Sequence, residues 1–233
     1  MKALVVVPTY DERENLERVV PRILAQGPDV HVLVVDDASP DGTGALADAL
    51  AAREPRLRVL HRSGKRGLGS AYVEGFQYAL RETDARFVIQ MDADLSHDPD
   101  AIPALLEAME TADVVVGSRY AGGVRVINWP LFRLIISVAA NFYAARVTGV
   151  RLHDLTSGFK CYRRTTLEAL PLDRIRSDGY AFNIEMVVLA AYRGLRVREI
   201  PIVFTDRVDG RSKLSRHILL EAAWLVWWLR IKR

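Results

Sequence analysis

Acidic side chains follow one apolar stretch of the sequence at a spacing that could bind a metal ion. Positions 88–100 read VIQMDADLSHDPD, and Asp92 and Asp94 come directly after the apolar run. Two carboxylates one residue apart in a straight strand point the same way and repel each other unless a cation lies between them. A hard divalent ion such as Mg²⁺ or Mn²⁺ prefers oxygen ligands and often also binds substrate phosphates. From these residues alone, a metal site and a short acidic turn are equally open, because a single D-x-D pattern is common by chance.

The other polar residues of this stretch have simpler interpretations. Asp98 precedes Pro99, which is a typical start for a helix, so we interpret Asp98 and Asp100 as part of a helix N-terminus. His97 could be a metal ligand, but we favour a polar contact for a single histidine beside a loop.

Short apolar strands alternate with amphipathic helices through residues 1–119. β-Branched runs predict strands, and apolar residues at helical spacing between them predict helices. The predicted strands are 3–8, 31–37, 57–61, 86–92 and 112–119, and the predicted helices include 68–80 and 99–110. Buried strands joined by helices imply a parallel sheet, whose ligands bind beyond the carboxyl ends of the strands. Four aspartates lie at such ends, namely Asp36, Asp37, Asp92 and Asp94.

The rest of the chain has a different pattern. Two further strands are predicted at 158–164 and 197–204, and helices at 130–147 and 214–231. On the 130–147 helix, Arg133, Ser137 and Asn141 are four residues apart and share one face, while apolar residues cover most of the remainder. Two interpretations are open: a thin solvated stripe on a core helix, or an interfacial helix whose polar stripe meets the phosphate of a lipid.

Composition limits the classes of function. The net charge is +3 and no Lys/Arg-rich block with interleaved aromatic residues occurs, which argues against nucleic acid as a partner. Cys161 is the only cysteine, so disulfides within the chain and multi-cysteine zinc sites are excluded. No uninterrupted apolar run reaches about 20 residues, so none clearly spans a membrane. The final helix carries three tryptophans and ends in RIKR, a composition typical of an anchor at a membrane surface.

Several polar or small residues have structural interpretations. We expect Asp36 to cap a turn at the edge of the core, GLGS at 67–70 to start a helix, and Cys161 to be a small core residue. For Glu185, within an apolar helix, a core acid paired with an arginine and a structural residue beneath the site are equally open.

Eight segments, taken together and in order, resemble a known family. They are PTYDERENL, VDDASPDGT, KRGLGSAY, MDADLSHDP, GSRY, LTSGFKCYRR, GYAFNIE and DRVDGRSKL. The chain resembles the inverting glycosyltransferases of family two, and most closely the polyprenol-phosphate (dolichol-phosphate) mannosyltransferases. The resemblance covers nearly all 233 residues. It implies an A-type glycosyltransferase fold, with a mostly parallel central sheet flanked by helices and amphipathic interfacial helices in the C-terminal half.

No internal repeat and no low-complexity linker divides the sequence, so we expect the second half to continue the first domain. We expect a single domain over residues 1–233, with a nucleotide-binding half at 1–119, an acceptor half at 120–212 and a C-terminal amphipathic helix at 213–233.

Roles in binding the donor follow from the same resemblance. The expected nucleoside and base contacts are Pro8, Tyr10, Glu12, Val35 and Asp37. The expected contacts with the ribose, the metal and the diphosphate come from Asp92, Ala93 and Asp94. The expected metal ligands are Asp92, Asp94 and Ser96, where Ser96 stands in place of a glutamine that some relatives have; the ion would be Mg²⁺ or Mn²⁺.

The remaining implied roles concern the transfer itself. Arg119, Arg207 and Lys213 would face the diphosphate or the acceptor phosphate, with Asp94 and Arg119 as catalytic residues. We expect Arg207 and Lys213, in DRVDGRSKL, to form a mobile anion clamp. Arg133 and Ser137 would hold the acceptor phosphate. No general base is assigned, because a phosphate monoester has its second pKa near about 6 and is already ionised at neutral pH.

The implied activity is metal-dependent transfer of mannose from GDP-mannose to a polyprenyl or dolichyl phosphate. The enzyme would lie peripherally on the cytoplasmic face of a membrane, and a membrane-anchoring partner protein is left open. One alternative keeps the fold but uses UDP-glucose with undecaprenyl phosphate. A second alternative, from another class, is a non-catalytic nucleotide-binding adaptor on membranes.

Overall fold

A central sheet organises the chain. The computed structural model describes residues 2–175, 177–206 and 216–231. The strands are β1 (Ala3–Thr9), β2 (Val30–Asp36), β3 (Leu57–His61), β4 (Phe87–Gln90), β5 (Val114–Ser118), β6 (Val126–Ile127), β7 (Lys160–Arg163), β8 (Val197–Pro201) and β9 (Phe204–Thr205). Over the described ranges, seven of them form one sheet in the order β3-β2-β1-β4-β7-β5-β8, and β6 pairs with β9 in a small parallel ribbon.

Eight helices accompany these strands within the described residues. They are α1 (Arg13–Leu24), α2 (Thr43–Ala51), α3 (Leu68–Glu82), α4 (Ile102–Ala108), α5 (Leu131–Thr148), α6 (Arg164–Ala169), α7 (Gly179–Tyr192) and α8 (Arg216–Ile231). Short 3₁₀ turns cover Pro99–Ala101 and Leu172–Arg174. The helix predicted at 99–110 is therefore a 3₁₀ turn followed by α4. The strand predicted at 197–204 is two strands, β8 and β9.

The sheet is mostly parallel, as predicted. β7 runs antiparallel to both of its neighbours, β4 and β5, so those two strands still point the same way. β1 pairs in parallel with β2 and with β4. Because β7 comes from the predicted acceptor half, strands from both halves of the chain share this sheet. The carboxyl ends of β1, β2, β4 and β5 consequently meet at one edge.

Alternating side chains of the strands bury two apolar layers, one on each face of the sheet. On β1, Leu4 and Val6 belong to a cluster with Tyr72 and Phe76 of α3, whereas Val5 and Val7 belong to the opposite cluster. Fully buried β-branched strands flanked on both faces are typical of parallel sheets. A Cβ atom on Gly75 would overlap Cγ1 of Val6, so α3 can approach β1 this closely only with glycine at this position.

Candidate functional site

The acidic pair lies directly after β4, at the open edge of the sheet. Asp92 accepts a hydrogen bond from the Tyr72 hydroxyl at 2.7 Å, and Asp94 accepts hydrogen bonds from the backbone N–H and the hydroxyl of Ser96 at 3.0 and 2.6 Å. Leu95 adopts a positive φ of 60°, which turns the chain sharply between Asp94 and Ser96. Both carboxylates are partly exposed, so they are held in place from behind and remain accessible from the edge.

His97 makes a buried polar contact, the interpretation favoured from the sequence. Its Nδ1 atom accepts from the backbone N–H of Asp92 at 3.2 Å, and its ring stacks on Phe159 with centroids 5.2 Å apart. Burial lowers the pKa of His97 below its usual value. A neutral ring whose Nδ1 is already accepting is suited to shape the turn after β4 and not to bind a metal through that atom.

The donor set at this turn fits a hard divalent ion that also binds phosphates. Within the described part of the chain, no group of three or more His, Cys, Asp or Glu side chains is arranged to hold a metal. Two carboxylates with the remaining ligands from phosphates and water are typical of Mg²⁺ sites. The hydroxyl of Ser96, the third expected ligand, donates to Asp94 and so orients that carboxylate. Its oxygen keeps acceptor lone pairs, and a metal-ligand role for Ser96 stays a prediction.

Two loops that follow β1 and β2 are joined by hydrogen bonds. The backbone N–H groups of Asp11, Glu12 and Arg13 donate to side-chain oxygens of Ser39, Thr43 and Asp41 at 3.1–3.2 Å. The Asn15 side chain donates to Glu12 at 2.6 Å. These contacts hold the loop that carries the predicted nucleoside residues Tyr10 and Glu12 against the loop that follows β2.

The two aspartates after β2 have different partners. Asp36 accepts from Thr9 and from the backbone and hydroxyl of Ser39, which confirms it as a capping residue. Asp37 is buried and forms an ion pair with the fully buried guanidinium of Arg62. Arg62 also contacts Glu74 at 3.1 Å. Asp37 thus has a buried cationic partner that the sequence analysis did not identify.

The predicted base and nucleoside contacts differ in accessibility. Pro8 and Val35 are paired neighbours inside β1 and β2, and both side chains are buried in the core. Any contact of Pro8 or Val35 with a ligand would therefore come from the backbone at the ends of the strands, and their predicted roles stay predictions. Tyr10 is partly exposed, and the ammonium of Lys65 lies 3.5 Å from its ring centroid. Lys65 therefore belongs beside the predicted nucleoside site.

Arg119, predicted to contact the diphosphate or the acceptor phosphate, lies in a buried ion pair. It is 4% exposed, and its guanidinium donates to both oxygens of Asp154, at 2.7 and 2.6 Å. The same guanidinium donates to the Thr156 hydroxyl at 2.7 Å. The charge of Asp154 holds the pKa of Arg119 above its usual value, and Arg119 holds the pKa of Asp154 below its usual value. Asp154 is therefore the partner of Arg119 in the folded chain, and the contact of Arg119 with a phosphate stays a prediction.

The polar stripe of α5 faces the protein body, so the interpretation as a solvated stripe is wrong. Arg133 donates to Asp206 at 2.6 Å, and the Tyr120 hydroxyl donates to the Ser137 hydroxyl at 2.6 Å. Asn141 is 2% exposed. The stripe lies inward because the parts of the fold that contact this side of α5 supply polar partners for it.

The apolar side of α5 faces outward. Its strongly exposed residues include Leu131, Phe132, Ile135 and Phe142, with Phe142 73% exposed. α8 packs beside α5 and α7 and adds Trp224 and Trp227 to the exposed apolar residues. Among the helices of the described chain, α5 is long and apolar enough to cross a membrane by length and composition alone, and 17% of it is buried.

A buried polar network beneath the acidic pair was not predicted. Lys160 is fully buried in β7 and donates to the carbonyl of Ser157 and to Oδ1 of Asn183. Gln90 donates to the same Asn183 oxygen at 2.6 Å. Burial lowers the pKa of the Lys160 ammonium to about 7. The sequence signal that was available is a lysine within the predicted strand 158–164, at a position where an apolar residue is usual.

The remaining predicted residues have the following places. Glu185 accepts from Ser177 rather than pairing with an arginine in the residues the structure covers, and Cys161 is a buried core residue as expected. GLGS starts α3 as predicted, where Gly69 donates to Asp178 at 2.6 Å. Arg207 and Lys213, the predicted anion clamp, lie outside the described residues.

Comparison with known proteins gives consistent matches. A model of glycosyl transferase family 2 matches residues 4–170. The chain is 47% identical to polyprenol monophosphomannose synthase of Mycolicibacterium smegmatis, over 98% of this chain and 88% of that protein. It is 46% identical to undecaprenyl-phosphate mannosyltransferase of Micrococcus luteus, over 95% of this chain and 91% of that protein.

Solved structures show a shared fold. Glucosyl-3-phosphoglycerate synthase from Mycobacterium tuberculosis, crystallised with Mn²⁺, UDP and glucosyl-3-phosphoglycerate, matches with a TM-score of 0.69 at 21% identity. The match covers 97% of this chain and 77% of that one. The predicted A-type fold, with its mostly parallel sheet flanked by helices, is confirmed.

Proposed function

Because the chain belongs to glycosyl transferase family 2, we propose that it transfers mannose from GDP-mannose to the phosphate of a polyprenyl phosphate. The anomeric carbon is inverted in this reaction, and the product is polyprenyl-phosphate mannose. The names of the two relatives at 47% and 46% identity support both the sugar and the class of acceptor.

The observation that carries the choice of a lipid acceptor is the orientation of α5. Its polar stripe is turned inward and its apolar side outward, the reverse of a helix on a protein that only meets water. Arg133, on the inward side, lies over the Trp129 ring at 4.2 Å and within reach of Asp206. A polyprenyl chain could follow the apolar side while its phosphate meets Arg133 and Ser137.

Asp92 and Asp94 are the residues that would hold the divalent ion, with the donor diphosphate completing its coordination. When bound, such an ion neutralises the charge that develops on the departing diphosphate. Tyr72 and Ser96 orient the two carboxylates through the hydrogen bonds they donate.

The transfer needs no general base on the protein. The acceptor phosphate, with a second pKa near about 6, is largely ionised at neutral pH. One of its oxygens attacks the anomeric carbon, the bond from that carbon to the diphosphate oxygen breaks, and GDP leaves with the electron pair. Arg133 and Ser137 have the task of orienting the attacking phosphate.

Lipid-dependent release of GDP tests the function. Purified protein with GDP-mannose, Mg²⁺ or Mn²⁺ and a polyprenyl phosphate should release GDP and form a mannosyl lipid, and omission of the lipid or the metal should abolish both. Faster turnover with UDP-glucose would show the alternative donor. Binding of GDP without turnover on any polyprenyl phosphate would show a non-catalytic adaptor.

Replacement of Arg133 by glutamine should impair use of the acceptor. A charge-assisted hydrogen bond contributes about 1.5–3 kcal/mol, so the KM for the lipid phosphate should rise roughly 10- to 100-fold. GDP affinity should not change, because Arg133 contacts Asp206 and Trp129 and not the loops after β1 and β2. Arg146→Gln, on the exposed side of the same helix, is the matched control. An unchanged lipid KM in Arg133→Gln would contradict this role.

The outward side of α5 should bind membrane surfaces. Replacing Phe132 and Phe142 by serine removes two exposed aromatic side chains, each of which contributes up to about 1.5–3 kcal/mol when buried in an apolar phase. Retention on liposomes in a flotation experiment should fall at least about tenfold. The control is the double variant Arg53→Ser and Glu107→Ser, which changes two exposed residues elsewhere and keeps the net charge. Equal flotation of both double variants would contradict a membrane-facing α5.

A further inference from the structure

A short segment connects α5 to the acidic pair. Residues 153–158, here called the bridging segment, follow α5 and precede β7. One end of the segment is tied to β8, where Glu199 accepts from the backbone N–H groups of His153 and Asp154, both at 2.8 Å. The segment passes between α5 and the turn after β4, and it contacts both.

The contact with α5 is a two-point match between one amide and one threonine. Asn141 donates from Nδ2 to the hydroxyl of Thr156 at 3.0 Å and accepts at Oδ1 from the backbone N–H of Thr156 at 3.2 Å. Nδ2 of Asn141 also donates to the carbonyl of Ser137 at 2.9 Å. Every polar atom of the Asn141 side chain therefore has a partner, which a side chain that is 2% exposed requires.

The contact with the acidic pair lies two residues further along the segment. A Cβ atom on Gly158 would lie 3.2 Å from Oδ2 of Asp92 and 3.1 Å from Cε1 of His97. The backbone of the segment thus passes directly beside Asp92. Its position there is secured by Ser157, which donates to the carbonyl of Gly117 at 2.6 Å and accepts from Lys160.

A polar contact at Asn141 fixes a position that an apolar contact would not. Apolar side chains of similar size could bury the same area, and replacing a satisfied polar network by well-packed apolar groups often costs little stability. Hydrogen bonds have narrow limits of distance and angle, whereas apolar packing tolerates small shifts of a helix. The Asn141–Thr156 match therefore sets where α5 lies along the bridging segment, and the bridging segment lies against Asp92.

We propose that Asn141 and Thr156 are positioning residues that set the placement of the acceptor-binding side of α5 relative to Asp92 and Asp94. Ser137 lies one helical turn before Asn141, and Arg133 lies one turn before Ser137. The inference rests on the proposed function, in which the acceptor phosphate is held by Arg133 and Ser137 and the donor diphosphate by the acidic pair. A shift of α5 would change the distance between the two reacting groups without touching either binding site.

Kinetics of three variants test the proposal. Asn141→Leu removes both hydrogen bonds of the match, and Thr156→Val removes the one at the hydroxyl; both keep a side chain of similar size. Thr148→Val is the matched control, because its fully buried hydroxyl donates at 2.7 Å to Ala144 within α5 itself. In the first two variants kcat for lipid transfer should fall roughly 10- to 100-fold, as expected for misplaced reactants. The affinity for GDP with Mg²⁺ should stay at the wild-type value, and the ratio of GDP-mannose hydrolysis to transfer should rise.

A distance measurement that needs no substrate accompanies the kinetics. Nitroxide labels at Arg146→Cys on α5 and Glu107→Cys on α4, both exposed, report the placement of α5. The distribution should broaden or shift in Asn141→Leu and Thr156→Val and stay as in the parent in Thr148→Val. Wild-type kinetics and wild-type distances in the first two variants, or equal effects in all three, would overturn the positioning role. If the parent protein transfers mannose to no polyprenyl phosphate, the proposed function fails, and the label distances alone decide the inference.

Discussion

Replacing Asp94 by alanine should reduce mannosyl transfer by at least roughly 10²–10³-fold, the loss expected when a preorganised group that stabilises developing charge is removed. Asp94 lies at the open end of β4, where Ser96 holds it by two hydrogen bonds. Without it, the donor diphosphate would lose one of the two carboxylates proposed to hold its cation. Because Asp94 is partly exposed, the variant should fold, and its melting temperature should stay close to that of the parent.

The variant Ser96→Ala tests the orientation of Asp94 separately from the binding of the metal ion by Asp94 itself. Loss of a residue that orients a metal ligand typically costs about 10–100-fold in metal affinity or activity. We therefore expect Ser96→Ala to require more Mg²⁺ or Mn²⁺ for half-maximal turnover and to recover much of its activity at saturating metal. Asp94→Ala should not recover. Near-parental turnover of Asp94→Ala at low metal concentration would contradict the assignment of the acidic pair.

Replacing Asp154 by alanine should destabilise the protein by about 3–5 kcal/mol, because it leaves the buried guanidinium of Arg119 without its counter-ion. For a chain of this size that corresponds to a fall in melting temperature of roughly 6–20 °C. Chemical and thermal unfolding measure the effect directly. The double variant Arg119→Met with Asp154→Leu should recover most of the loss, since an apolar pair leaves no uncompensated charge.

The matched control is a similar ion pair at the surface. Arg196 donates to both oxygens of Asp113 at 3.1 and 3.0 Å, but the Arg196 side chain is 64% exposed. Arg196→Ala should cost no more than about 1 kcal/mol, because the guanidinium it removes is exposed and Arg163 remains 3.7 Å from Asp113. Equal losses in Arg196→Ala and Asp154→Ala would mean that burial does not decide the contribution of the Arg119–Asp154 pair.

The contribution of the Arg119–Asp154 pair to the stability of the fold depends on pH. Arg119 lowers the pKa of Asp154 below its usual value in the folded protein. Its contribution is therefore fully present above the pKa of an aspartate in the unfolded chain, and it is lost as pH falls through the lower folded-state pKa. Stability measured between neutral pH and pH 5 should not change on account of this group, and the difference between parent and Asp154→Ala should narrow only in strong acid.

Much of the fold and part of the site were predictable from the sequence because they depend on local patterns. The strands of the parallel sheet are continuous β-branched runs, and the helices between them show apolar spacing. Asp92 and Asp94 follow such a run, so their place at the sheet edge follows from the strand that precedes them. The capping role of Asp36 is equally local, since Ser39 lies three residues further on.

Partners distant in the sequence were not predictable. Arg119 has the spacing of a ligand-binding residue after β5, yet Asp154, 35 residues later, neutralises it. Asp37 follows β2 as expected, yet it forms an ion pair with Arg62, 25 residues later. A residue type shows which charge is present, but only the folded chain decides whether that charge is compensated inside the protein or offered to a ligand.

The helix α5 shows both what the sequence determines and what only the tertiary structure decides. The sequence alone determined that α5 is a helix with a polar stripe containing Arg133, Ser137 and Asn141 on an otherwise apolar surface. A periodic pattern distinguishes the two sides of a helix but does not say which side meets the protein. Only the tertiary structure decided this, because Tyr120, Thr156 and Asp206 supply polar partners that turn the stripe inward. With the stripe turned inward to these partners, the apolar side of the helix is left outward.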